Sequence, residues 1–169
     1  MVFGGGGGTA GRLTLDATGT NAGTGLTTFN IAGLDGTSRY LIELELLSTG
    51  SSSGGVDMEP NGTSGGDMTG VKLSTAGASS VDQQSTTASL CAITVLGGAG
   101  LSLFLELDLN LTKKRGWSRY LQTPGGTNPL AGFCAMQWST SGITNIDIAR
   151  TGATVTFDTP SWSIYRYTY

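Results

Sequence analysis

Between positions 101 and 111 every odd residue is leucine, while the even positions run Ser102, Phe104, Glu106, Asp108 and Asn110. An extended backbone points successive side chains to opposite faces. The spacing therefore predicts a strand with Leu101, Leu103, Leu105, Leu107, Leu109 and Leu111 on one side and Glu106, Asp108 and Asn110 toward solvent. Wound as a helix, the same leucines would spread around the whole circumference. Residues 40–47 repeat the design, with Ile42, Leu44 and Leu46 opposite Glu43 and Glu45. Two strands so apolar on one face need a second apolar layer to cover them.

Shorter runs supply that layer. Residues 12–15, 27–31, 91–96, 130–138, 143–148, 154–157 and 162–169 all alternate, bounded by Gly, Asn, Asp, Ser or Pro. In 130–138, Phe133 and Ala135 oppose Cys134, Met136 and Trp138; in 143–148, Ile146 and Ile148 point inward. Residues 48–55 read as a loop, and Asn61-Gly62 as a hairpin turn needing left-handed backbone. Residues 69–89 are polar and weakly patterned, so a long excursion with at most one strand, near 71–73, is expected there. Residues 113–121 read as a basic loop. No segment has helical periodicity. Eight to ten short strands predict an all-β fold, an antiparallel β-sandwich with jelly-roll topology. Gly4, Gly5, Gly6, Gly7 and Gly8 hold no conformation by themselves, which divides the chain into a glycine-rich N-terminal arm, 1–11, and a single sandwich domain, 12–169.

Composition narrows the partners. At 169 residues the chain can bury roughly 70% of its unfolded surface without disulfide or metal. Charged residues make up 12% of it, against about 25% in an average soluble protein, and the net charge is −3. That gives no pull toward nucleic acid or an anionic membrane, so neither is expected as a partner. Cys91 and Cys134 sit among small and apolar residues and read as buried free thiols. The first residues have neither a basic start nor an apolar core, so no signal peptide is expected, and the alternating apolar runs exclude a transmembrane helix.

Candidate chemistry is sparse. The sequence has no histidine, which removes the commonest general base and the middle member of a Ser-His-Asp triad. Without an imidazole, Ser64 in Gly62-Thr-Ser-Gly-Gly66 and the two cysteines lack an activating base. Glu43 with Glu45, and Glu106 with Asp108, share strand faces and could serve a glycosidase, although alternation demands polar residues there anyway. Asp57, Glu59 and Asn61 resemble the start of a calcium loop, but Met68 stands where the bidentate glutamate belongs, and hairpin residues are the plainer reading. Trp117, Trp138, Trp162, Tyr165, Tyr167 and Tyr169 could stack on sugars, with Trp138 and Trp162 equally suited to the core. Lys113, Lys114, Arg115 and Arg119 surround Trp117, a combination suited to anchoring an acidic neighbour.

The stretch Met136-Gln-Trp-Ser-Thr-Ser-Gly-Ile-Thr-Asn-Ile-Asp-Ile148, with Phe157 and Ser161-Trp-Ser-Ile-Tyr165, resembles the C-terminal part of a group of tailed-bacteriophage structural proteins. Residues 40–47 and the Asn61-Gly62 turn with its glycine-rich continuation to Asp67 resemble that group's opening strand and hairpin. The likeness runs from Arg39 onward and contains no catalytic motif. Arg166, Pro160 and Thr63 depart from it where glycine, a small residue and aspartate are usual. The resemblance implies a virion component, made in the host cytoplasm and seated as a homotrimer on the major capsid protein: a capsid decoration or cement protein.

The expected function is accordingly shell stabilisation by protein–protein contacts, without catalysis, metal or cofactor. The arm (Phe3, Gly4, Gly5, Gly6, Gly7, Gly8) and the basic segment (Lys113, Lys114, Arg115, Trp117, Arg119) are the expected contact residues. The alternatives are a tail or fibre module that binds a glycan or receptor and, more distantly, a carbohydrate hydrolase.

Overall fold

The computed structural model describes residues 11–50, 54–62, 69–75, 79–85, 90–95, 99–112, 114–124, 130–138, 142–151 and 155–168; side chains at 54–57, 69–99, 123–130, 134, 136 and 138 lie outside that description. The strands are β1 (Arg12–Thr20), β2 (Thr28–Ala32), β3 (Arg39–Gly50), β4 (Gly54–Pro60), β5 (Thr69–Thr75), β6 (Ser79–Ser85), β7 (Leu90–Val95), β8 (Ala99–Asp108), β9 (Lys114–Pro124), β10 (Leu130–Trp138), β11 (Asn145–Thr151) and β12 (Val155–Thr168). There is no helix among the described residues. The strands form two sheets, one of eight in the order β1-β12-β3-β8-β9-β10-β5-β6 and one of four in the order β2-β11-β4-β7. Every pairing is antiparallel.

The leucine alternation forms the central ladder. Ile42 pairs with Leu105, Leu44 with Leu103 and Leu46 with Leu101, and all six are buried. They face Phe29, Ile31, Met58, Ile146 and Ile148 of the smaller sheet in one apolar cluster. Each such side chain contributes about 1.5–3 kcal/mol by leaving water. Phe29 meets Phe157 edge-on across the two sheets, ring centres 5.7 Å apart.

Several boundaries differ from the sequence expectation. β8 stops at Asp108; Leu109 is still buried, its amide donating to the Ser38 carbonyl at 3.0 Å, but Leu111 is 37% exposed. Residues 69–85 hold two paired strands, not one. Their polar composition hid them, because backbone pairing needs no apolar side chain. The two runs expected over 154–157 and 162–169 are joined, across residues 155–168, in one strand, β12, by a bulge between Asp158 and Ser161 that accommodates Pro160. Thr159 takes φ 44° at this bulge, and its amide donates to the Gly23 carbonyl.

The largest correction concerns the basic segment, which is strand β9 and not a loop. Its inward residues are Gly116, Ser118, Tyr120 and Gln122, opposite Leu107, Leu105, Leu103 and Leu101 of β8. Small and polar residues fill the core positions, so hydropathy alternation disappears although the alternation of faces persists. The left-handed backbone expected at Asn61-Gly62 is present, with φ 53° and 64°, but the turn closes no hairpin, because β4 and β5 lie in different sheets. Asn61 also grips the neighbouring loop, its Oδ1 accepting from the Thr144 amide at 2.9 Å and its Nδ2 donating to the Gly142 carbonyl at 3.1 Å.

Candidate functional site

The register of the eight-stranded sheet collects one outer face from opposite ends of the chain. Across it run rows such as Ser163, Glu43, Phe104, Arg119 and Phe133, and Tyr165, Leu41, Glu106, Trp117 and Ala135. Leu13 and Leu15 on β1 continue the face beyond Tyr167 and Tyr165. An outer sheet face should be polar, yet Leu13 (39%), Leu15 (54%), Leu47 (45%), Phe104 (39%) and Leu121 (47%) stand exposed on it. Scattered exposed leucines are ordinary; several on one sheet face are what a contact surface would need.

At the centre lies a rigid polar cluster. Glu106 accepts from the Arg39 guanidinium on one oxygen and from the Trp117 indole N–H at 2.8 Å on the other. The Arg39 guanidinium lies 4.7 Å from the Tyr167 ring centre and 5.8 Å from that of Trp117. Both Glu106 oxygens are thus occupied, and Asp108 accepts from the Asn110 amide at 3.2 Å. This pair is a structural device. Glu43 receives the Tyr165 hydroxyl at 3.3 Å, and Glu45 is exposed between two open troughs, one lined by Leu47, Gly100 and Ser102, the other by Thr18, Thr20 and Ser163.

The basic segment divides between the two sides of its strand. Arg115, Trp117 and Arg119 point outward, Arg119 with its guanidinium 5.9 Å from the Phe104 ring centre. Lys114 points the other way, and its ammonium donates to the Leu109 carbonyl. Lys113 and the arm residues Phe3, Gly4, Gly5, Gly6, Gly7 and Gly8 lie outside the described residues. So do Tyr169, Ser64, Met68 and the side chains of Cys91, Cys134, Trp138 and Asp57. Trp162 is half-buried and stacks on Phe29 at 5.9 Å with 21° between planes, which is the core role.

Two features escaped the sequence reading. Phe104, Leu41 and Leu47 sit at polar-side positions of β8 and β3, and an apolar residue out of phase with its strand was the available signal. The second is Arg166, which binds Asp16 at 2.6 Å and Asp35 at 3.3 Å and lies over the Tyr40 ring. Burial pushes the Asp35 carboxyl up, but hydrogen bonds from the Ser38 hydroxyl and the Thr37 and Ser38 amides outweigh it and hold the group well below the ordinary range. The hydrogen bond with Asp16 pushes the Arg166 guanidinium up. This latch ties β1 and β12 to the turn before β3.

Among the described residues no group of three or more His, Cys, Asp or Glu side chains is placed to hold a metal ion. No described helix is long and apolar enough to cross a membrane. Compared with protein-family models, curated proteins and solved structures, the chain matches none.

Proposed function

We propose that the chain is a jelly-roll capsid decoration protein, a homotrimer that binds the outside of a shell of major capsid protein and stabilises it through contacts alone. The topology reading is supported by the nesting of pairs: β1 with β12, β2 with β11, β3 with β8 and β4 with β7, alternating between the two sheets. A single antiparallel ribbon acquires this order when it is rolled up. The hairpins β5–β6 and β9–β10 then extend one sheet past β8.

The observation that carries the functional reading is the broad outer face with its exposed leucines and Phe104 around the fixed Arg39–Glu106–Trp117 cluster. Such a surface offers shape and apolar area, the means by which virion components hold one another. The glycine-rich residues ahead of β1 serve as the arm that settles on a neighbour. Co-sedimentation with capsid shells stripped of decoration tests this. The full chain should pellet with the shells, and a variant lacking residues 2–10 should keep its strand signature by circular dichroism but pellet poorly. Unchanged pelleting of the shortened chain would remove the arm from the account, and a full chain that stays in the supernatant would overturn the function.

A further inference from the structure

The outer face carries unneutralised charge of both signs in separate places. Glu43 and Glu45 stand on β3, Arg115 and Arg119 on β9, with β8 between them. Among the described residues none of the four is in an ion pair; the pairs formed are Arg39–Glu106, Arg166–Asp16 and Arg166–Asp35. Phe104 sits in the row between Glu43 and Arg119 and separates them. Arg39 on the same face is paired with Glu106, whereas these flanks stay open within one copy.

We propose that this face is where copies of the chain meet, the arginine flank on β9 of one copy lying against the glutamate flank on β3 of the next. The partner is a second copy because a surface of one sign would satisfy only one flank, whereas the same face presented by another copy offers each flank the opposite sign; Asp108, opposite Arg115 in the ladder, is a further acid there without an ion pair among the described residues. Phe104, Leu121 and Leu47 lie beside the charged residues and supply the apolar centre that a polar rim needs. The area suffices. Six strands at ~4.8 Å spacing, each spanning about eight residues at ~3.3 Å, give roughly 750 Å² in plan before side-chain relief, close to the about 800 Å² of accessible surface per partner in a standard interface. Because both copies present the same face, each arginine flank lies against the other copy's glutamate flank, so the contact is isologous, about a two-fold axis, and closes as a pair. The inference does not rest on the proposed function: a two-fold pair of copies is a contact separate from the three-fold assembly of that reading.

Sedimentation velocity on the purified full chain at about 100 µM tests it. The wild type should associate, and association should weaken as salt rises from about 0.05 to 0.5 M. Reversing one flank, Arg115→Glu with Arg119→Glu, or the other, Glu43→Arg with Glu45→Arg, should weaken association by at least about tenfold, and all four substitutions together should restore it. Unaltered melting temperatures show that the variants fold, and the salt series tests the charge pairing without any variant. A wild type that stays monomeric, or single-flank variants that associate as the wild type does, would overturn the proposal. The virion role fails separately: a monomer that still binds capsid shells leaves that role standing, and an oligomer that binds none leaves this interface standing.

Discussion

Gly19 lies across the ladder from Trp162, and a Cβ at Gly19 would come within 2.3–2.5 Å of three atoms of the indole ring. The indole cannot simply step aside, because its other neighbour is the Phe29 ring. Glycine at this position is therefore the complement of a tryptophan stacked into the core. Gly19→Val should destabilise by about 1–3 kcal/mol through overpacking. A fall of roughly 2–10 °C in melting temperature is expected, and an unchanged one would show that the indole has room to move.

The end of the leucine ladder is open to a paired test. Leu103 is fully buried, whereas Leu111 is 37% exposed and lies beyond the last residue of β8. Leu103→Ala should cost about 2–5 kcal/mol in urea unfolding, and Leu111→Ala less than about 0.5 kcal/mol. Equal costs would place Leu111 in the core after all.

Tyr120 illustrates a less comfortable burial. Its ring covers Gly132, where a Cβ would collide with it, and its hydroxyl is buried with no hydrogen-bond partner among the described residues. Burial pushes the phenol pKa up. Tyr120→Phe removes an unsatisfied polar atom and keeps the ring, so stability should hold or rise by about 1 kcal/mol. A clear loss in a thermal melt would reveal a partner for the hydroxyl.

Asp35 makes the acid limb of stability predictable in sign. Its folded pKa is depressed, so its contribution is complete above the unfolded value near 3.8 and is lost as pH falls below it. Asp35→Asn should lower the melting temperature at neutral pH, by about 2–4 °C for a loss of about 1 kcal/mol. It should also flatten the decline in melting temperature below pH ~4. A variant with the same acid limb as the wild type would show that other carboxylates govern it.

The sequence disclosed most where core residues were aliphatic and strictly alternating. β3 and β8 could be read from Ile42, Leu44, Leu46 and the odd leucines because both faces of each strand differ sharply in hydropathy. β9 could not, since Gly116, Ser118, Tyr120 and Gln122 fill its buried side, and β5 and β6 pair through backbone in a polar stretch. The outer face of the larger sheet was legible only in part. Trp117 and Arg119 stood out together in the chain, but Arg39, Tyr167 and Leu13 reach them through a register that pairs Leu13 with Tyr167 across almost the whole length. Local pattern carries no information about such pairings.

A cryo-EM map of phage particles mixed with the purified chain tests the central claim most directly. The account predicts density for the two-sheet domain on the outer surface of the capsid shell, in clusters of three, with the residues ahead of β1 running onto a neighbouring subunit. Density for the domain in the tail, or a particle without the chain, would contradict it.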